Sequence, residues 1–409
     1  MIKAGLVGVS AVSCAILASP ACAQSAPLAA QQPHTDVVLS ARGLYDGNVI
    51  RGSAALADQR GLEKDDFRLT PSIDADIYKV LGTGYLSLNG SVGYDFYARN
   101  TRLNRERIAT DLGAGAMLGP CGVDTTAGFS RSQSELADLN TAPDEYGSTK
   151  NTETRFNVGG MVACGSSVGF KPFAVLQAST ARNSSTQRKG SDFDSITYGG
   201  GVMYAQPSIG EIRVFATGRE VDFDKRDQVV YFGAPKLRVR TAGGQFSRDI
   251  GARLSAFVLL AYTEVNQKGI VTGKTDFNGL TWQGKLTLKA SERMTFQATV
   301  SQDTIPSLGF NVDYMKRTDY AAQADFVMNS RMTLRLSGSH GIRNFYYSAL
   351  SASENLTHDR VNTFGASFRI TPVGPFTVSL DAIYDDRKAN LDIYSYNAVR
   401  AGISLQMKI

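Results

Sequence analysis

The chain is poor in the groups that carry most enzyme chemistry. It has three histidines, four cysteines and one tryptophan among 409 residues. His34 falls in a Ser/Ala/Gln/Pro-rich stretch near the N-terminus and is expected to be disordered. His340 and His358 flank one loop. A hydrolase needs a histidine beside a nucleophile and an acid, or a metal. Ser339 precedes His340 and Asp359 follows His358, but neighbours on a strand point to opposite faces, so neither pair is a dyad. No cluster of His, Cys and carboxylate has metal-ligand spacing. These absences predict no catalytic centre, no cofactor and no metal site. The formal net charge of +5 is too mild to argue for nucleic acid.

Long hydrophobic runs are missing too. Ala4 to Leu17 is apolar, too short to span a bilayer comfortably, and no later segment reaches the roughly 18 apolar residues of a transmembrane helix. Lys3 ahead of that run, Pro20 after it, and Ala21-Cys22-Ala23 before Gln24 read as a secretory signal peptide with an A-x-A cleavage site. A lipoprotein would acylate Cys22, but Ser19-Pro20-Ala21 lacks the leucine a lipobox wants. The expected organisation is a signal peptide over 1–23, a short flexible leader over 24–35 and one folded unit over 36–409.

What is present is alternation. From Val399 to Ile409 every second residue is apolar: Val399, Ala401, Ile403, Leu405, Met407 and Ile409 share one face, against Arg400, Gly402, Ser404, Gln406 and Lys408. Period two is a strand with one apolar and one wet face. The same pattern sets Met294, Phe296, Ala298 and Val300 against Thr295, Gln297, Thr299 and Ser301. It sets Phe376, Val378, Leu380, Ala382 and Tyr384 against Thr377, Ser379, Asp381 and Asp385. A membrane protein without a hydrophobic helix must be a closed barrel, because only helices and barrels satisfy every backbone group in lipid. Forty glycines, 12 prolines, 17 tyrosines and 20 phenylalanines suit strands, turns and an interfacial aromatic girdle.

Strands are predicted near 36–45, 66–80, 85–98, 106–118, 123–134, 152–164, 169–182, 194–206, 211–223, 234–249, 252–265, 276–290, 294–304, 312–328, 332–347, 359–371, 376–387 and 394–409. That is about eighteen, with about sixteen as the alternative, an even number as in single-chain bacterial barrels. Short turns such as Gly119-Pro120 alternate with long polar connections such as Asp46 to Asp65, Glu135 to Asn151, Asn183 to Ser191 and Ala349 to His358. Short periplasmic turns and long outer loops are the barrel asymmetry, which puts the C-terminus in the periplasm. The fold class is therefore all-β: a single antiparallel transmembrane outer-membrane β-barrel. A soluble two-sheet sandwich would need two domains in a chain this long, and no linker or composition shift divides it.

The polar faces put Arg213, Arg219, Lys285, Lys289, Asp303, Arg335, Arg369, Asp381, Asp385 and Arg400 into the lumen. The basic excess suits a weak anion preference; alternatively, arginine and acid pairs only cross-link and fill the lumen. Cys121 and Cys164 fall in two consecutive short turns, and an oxidising periplasm would allow a disulfide between neighbouring hairpin tips.

Near the first strand stands Ala41-Arg42-Gly43-Leu44-Tyr45-Asp46-Gly47-Asn48-Val49-Ile50-Arg51. This is similar to the Gly-x-Tyr-Asp-Asp-Asn-(Val/Ile)-(Phe/Tyr)-Arg signature of an outer-membrane β-barrel porin family that includes barrels encoded with sphingan (gellan-type) exopolysaccharide clusters. The spacing of Tyr45, Asp46, Asn48 and Arg51 is kept, while Gly47 replaces the second Asp and Ile50 the aromatic. The resemblance implies a porin-like barrel, in some members linked to surface polysaccharide, and brings no catalytic residues. Physically the run reads as a turn, with Asp46 and Asn48 capping backbone groups and Gly47 allowing positive φ.

The functional expectation is a porin-like conduit for surface polysaccharide or small solutes. Its alternatives are a non-conducting accessory barrel of an envelope complex and, least favoured, a surface enzyme. Expected partners are outer-membrane lipid and lipopolysaccharide, the barrel-assembly machinery reached through the C-terminal strand, and polysaccharide or export-complex proteins.

Overall fold

The computed structural model describes residues 32–134, 136, 150–226, 234–268, 276–306, 314–346, 356–372 and 374–409. The predicted signal peptide, most of the leader, and the central parts of the loops expected at 135–151 and 349–358 lie outside the described residues.

Eighteen antiparallel strands form one closed ring. They are β1 (His34–Asp46), β2 (Asp66–Leu81), β3 (Gly84–Tyr97), β4 (Arg105–Leu118), β5 (Cys121–Gln133), β6 (Thr152–Cys164), β7 (Gly169–Asn183), β8 (Phe193–Gln206) and β9 (Gly210–Asp222). The ring continues through β10 (Lys236–Ile250), β11 (Leu254–Lys268), β12 (Phe277–Lys289), β13 (Met294–Pro306), β14 (Tyr314–Asn329), β15 (Met332–Tyr346), β16 (His358–Ile370), β17 (Phe376–Ala389) and β18 (Tyr396–Lys408). Every strand pairs with its sequence neighbour, and β1 also pairs with β18, from Val38 opposite Lys408 to Asp46 opposite Arg400. The last residue joins this seam, its Ile409 N–H donating to the Val37 carbonyl at 2.9 Å. The predicted count of eighteen therefore holds, and predicted strand ends differ from observed ones by three residues or fewer.

One correction concerns His34. It is the first residue of β1, opposite Tyr78 of β2, and its Nε2 lies 3.3 Å from Asp76. The Ser/Pro-rich composition around it pointed to disorder. A waiting backbone ladder on β2 and a carboxylate partner outweigh that local preference.

Alternation sorts the wall into two surfaces. Leu280 is 63% exposed and Ile403 54%, and their outward neighbours on almost every strand are likewise exposed and apolar. A continuous exposed apolar band is far beyond what water tolerates on a soluble surface and fits hydrocarbon. One ladder is interrupted. Pro71 lacks an N–H, and the β2–β3 register skips from Leu69 opposite Phe96 to Ser72 opposite Gly93. A Cβ on Gly93 would stand 2.8 Å from the Pro71 carbonyl, so the interruption needs glycine there.

The short turns gather at one end of the barrel and the long loops at the other. At the short-turn end Cys121 and Cys164 are bonded to each other. They are strand residues rather than turn residues, the first of β5 and the last of β6, and they form one rung of the ladder on the outward face. The bond closes a loop with a sequence separation of 43 residues. Removing such a crosslink costs about 4 kcal/mol of chain entropy on the loop-length relation. The intact mass is expected to rise by two hydrogens on reduction, and the C121S/C164S variant to unfold at lower denaturant. Two thiols freely alkylated without reductant would contradict the bond.

Candidate functional site

The site is the lumen and the cap over its long-loop mouth. Register with the neighbouring strands turns all ten predicted charges, from Arg213 to Arg400, toward the interior. Their surroundings differ. Arg213 is 2% exposed and bonds Glu211 at 2.6 Å. Arg335 bonds Asp325 at 2.6 Å, Asp381 accepts from Arg42 at 2.6 Å, and Asp385 takes Arg400 at 2.5 Å and the Thr363 hydroxyl at 2.8 Å. Asp303 of β13 and Arg219 of β9 lie within electrostatic reach of each other although three strands separate them. Side chains thus approach across the lumen at that level. Lys285, Lys289 and Arg369 make no ion pair among the described residues. Pairing and free basic charge therefore coexist in one lumen.

Inward residues of the first strands extend the picture. Asp74, Asp76, Asp111 and Asp124 line the interior of β2, β4 and β5. Asp74 accepts from Ser40 and Ser72, and Asp124 from the Tyr85 hydroxyl at 2.9 Å. Between this acidic arc and the lysines of β12 lies an apolar arc of Met161, Phe173, Met203, Phe215 and Ala261. Inward carboxylates are thus frequent along β2–β5, apolar side chains fill part of β6–β11 beside Arg213 and Arg219, and the unpaired lysines lie on β12. The acidic arc was open to the same period-two reading, since Arg68, Thr70, Ser72, Asp74 and Asp76 alternate along β2.

The cap is built by the chain between β1 and β2. A helix α1 (Ala54–Arg60) starts on Ser53, whose Oγ accepts from Leu56 N at 3.3 Å. It ends on Gly61 in the left-handed region at φ 52°. Seven residues are too few for a stable isolated helix. Burial holds it: Leu56 and Ala57 pack with Val49, Ile50, Leu62, Leu103 and Leu136, and Ile393 and Tyr394 close the cluster. These residues come from four different long loops, so the cap reaches over the arc from β17 round to β6. Burial pushes the Arg60 guanidinium down to about 10, with the nearby Tyr394 phenol opposing the shift. Arg60 Nη1 donates to the Ile50 and Leu136 carbonyls.

The Tyr45-Asp46-x-Asn48-x-x-Arg51 run anchors the cap. Asp46 binds Arg51 through both oxygens, at 2.9 and 2.7 Å. The Asn48 side-chain oxygen accepts from Arg51 N at 2.9 Å, and its amide donates to Gly52 O at 3.0 Å and to Asn397 O of β18 at 3.4 Å. Gly47 N donates to Val399 O. Two details correct the sequence reading. Positive φ falls on Arg51, at 59°, and not on Gly47, because the ion pair and the Asn48 cap hold Arg51 in the left-handed region. Tyr45 stands outside this network, exposed on the outward face. On the far side Asp66 accepts from Asn100 N at 2.7 Å, and Asn100 Oδ1 accepts from Glu63 N. Beneath the cap, Asp359, fully buried, takes Arg343 and Arg387 at 2.6 Å each.

Among solved structures the chain is similar to Pseudomonas aeruginosa OccK2 (OpdF), at 11% identity and TM-score 0.46 over 92% of this chain and 98% of that one. It is also similar to a BenF-like porin from Pseudomonas fluorescens Pf-5, at 12% and 0.46 over 92% and 99%. A third likeness is Acinetobacter baumannii OccAB3, at 9% and 0.46 over 92% and 99%. No protein-family model and no curated protein matches the chain.

No catalytic pair is assembled at His340 or His358. His340 points outward and bonds Asn362 at 2.7 Å, while Ser339 points inward. His358 is outward and Asp359 inward. Among the described residues no group of three or more His, Cys, Asp or Glu is placed to hold a metal.

Arg51→Ala would leave the Asp46 carboxylate buried without its cation, a loss of about 3–5 kcal/mol for a broken buried pair. The expected result is faster hydrogen exchange across 47–65 with exchange of β7–β12 unchanged. Unaltered exchange in the cap would refute the anchoring role.

Proposed function

We propose that this chain is an outer-membrane channel for small polar solutes, with its long-loop end toward the cell exterior and its C-terminus periplasmic. The observation that carries this reading is the lumen: a closed ring whose interior sets carboxylates on one arc against lysines and arginines on another. A soluble core buries such charges only in pairs, because an unpaired charge away from water is costly. Lys285, Lys289 and Arg369 without ion pairs fit a water-filled passage. Opposed arcs impose a transverse field that orients dipolar solutes, and the low-dielectric wall strengthens it.

The apolar outward band supports residence in a bilayer, and a closed ring of strands suits the outer membrane. The alternating outward face of β18 suits recognition by the barrel-assembly machinery. A polysaccharide chain would have to displace the cap, whose residues are tied to β18, to the β3–β4 loop and to Leu136. The cap therefore favours small solutes over polymer export. It also gives weight to a non-conducting accessory barrel, which the same experiment addresses.

The purified chain, folded and inserted in a planar bilayer, is expected to give stable ohmic steps. Under a salt gradient, K285Q/K289Q is expected to move the reversal potential toward cation preference and D74N/D124N toward anion preference. Silence from a folded, heat-modifiable barrel would overturn the channel reading in favour of the accessory barrel.

A further inference from the structure

The outward rim at the long-loop end is divided between two kinds of arc. Along β4–β11 three outward arginines face a carboxylate across the strands, although exposed Lys268 of β11 stands opposite Lys236 of β10. Arg131 meets Glu106 at 2.6 Å, Arg182 meets Asp194 at 2.6 Å, and Arg238 meets Glu220 at 2.7 Å. Along β14–β17 the pattern breaks. Arg360 of β16 stands directly opposite Lys388 of β17, both outward and exposed. Like charges opposite each other across a ladder are destabilising. Lys316 lies on the same face of β14, one rung nearer the loops and two strand steps from β16, or about 10 Å around the wall. Among the described residues no carboxylate lies within 4.0 Å of any of the three. The one acid on this face, Asp386, sits a rung toward the middle of the wall, where Asn362 Nδ2 donates to it at 3.4 Å.

Two outward rungs below the cations come aromatics. Tyr320 stacks on His340 with ring centroids 6.3 Å apart, and Phe364 and Tyr384 are exposed on the next rungs. Aromatic belts mark the level where hydrocarbon gives way to headgroups. A cationic patch two outward rungs above that belt, with three cations against the single neighbouring carboxylate Asp386 among the described residues, stands at headgroup height. The guanidinium of Arg360 offers a planar fork for a phosphate, and Lys388 and Lys316 offer point charges beside it.

We propose that Lys316, Arg360 and Lys388 bind the phosphorylated headgroup of an outer-leaflet glycolipid on the outside of the β14–β17 wall. The occupant is a glycolipid rather than a solute because the patch faces away from the lumen and adjoins the aromatic belt. A phosphate between Arg360 and Lys388 removes the like-charge repulsion, which couples the bound lipid to the stability of this arc. The assignment rests on the outer-membrane reading above, with the long loops outward.

The test uses the full folded chain in detergent and bisphosphorylated lipid A as the probe, followed by native mass spectrometry. The wild type is expected to retain lipid A, and R360Q/K388Q to bind it about tenfold more weakly. R131Q/R182Q, drawn from the paired arc, is expected to bind as the wild type does. Dephosphorylated lipid A and phosphatidylglycerol are expected to be lost from all forms. Heat-modifiable migration on gels establishes that each variant is folded. Equal binding by wild type and R360Q/K388Q overturns the site, as does equal retention of dephosphorylated lipid A. Retention of phosphatidylglycerol as strong as that of lipid A overturns the choice of a glycolipid. A wild-type chain that folds but enters no vesicle overturns the membrane reading together with this one. A chain that inserts and conducts but shows no lipid A preference overturns this site alone.

Discussion

Everything in this molecule depends on the seam between β1 and β18. A strand in hydrocarbon has no water to satisfy its N–H and C=O groups, so an open edge would cost several kcal/mol per group. The seam removes the last edge, from Val38 opposite Lys408 to Asp46 opposite Arg400. Residues nearly the whole chain apart are thereby made neighbours. The interior ion pair of Arg42 with Asp381, 339 residues distant, exists only because the ring closes. The cap depends on the seam as well. Asn48 and Gly47 bond the backbone of β18, so part of the cap's anchorage exists only in the closed ring.

Closure and alternation together create the functional surface. A period of two gives every strand one inward row, and closure aims all eighteen rows at one axis. The chemistry of the lumen is then a matter of which strands carry which charges. Asp74, Asp76, Asp111 and Asp124 fall on the early strands and Lys285, Lys289 and Arg369 on later ones, so positions far apart in sequence become opposed sides of one lumen. The apolar arc of Phe173, Phe215 and Met203 separates the two. At the long-loop rim of the outer surface Arg131, Arg182 and Arg238 meet acids, while Lys316, Arg360 and Lys388 make no ion pair among the described residues.

The cap obeys different rules. Its helix is too short to stand alone, and its residues give no period-two signal. It is held by a small apolar cluster assembled from four loops and by buried polar anchors at Asp46 and Asp66. Each anchor is satisfied by several donors, as a carboxylate away from water requires. The cap covers part of the long-loop mouth.

Strand number, strand position, inward and outward faces and the division into short turns and long loops were all legible in the amino-acid order. Each follows from local alternation and turn chemistry, which act within a few residues. Strand ends were less legible, as at His34, because a ladder extends wherever a neighbour offers donors and acceptors. The helix inside 46–65 was hidden because its apolar residues are few and only burial against Leu103 and Leu136 makes it stable. The left-handed residue of the Tyr45–Arg51 run was read at Gly47 from intrinsic preference. The local ion pair with Asp46 and the Asn48 cap moved it to Arg51. What the sequence by itself determined was an alternating chain able to present one face to lipid and one to a lumen. Which charges meet, which stay unpaired and what roofs the mouth were decided only by register across the closed ring, because those contacts join residues tens to hundreds of positions apart.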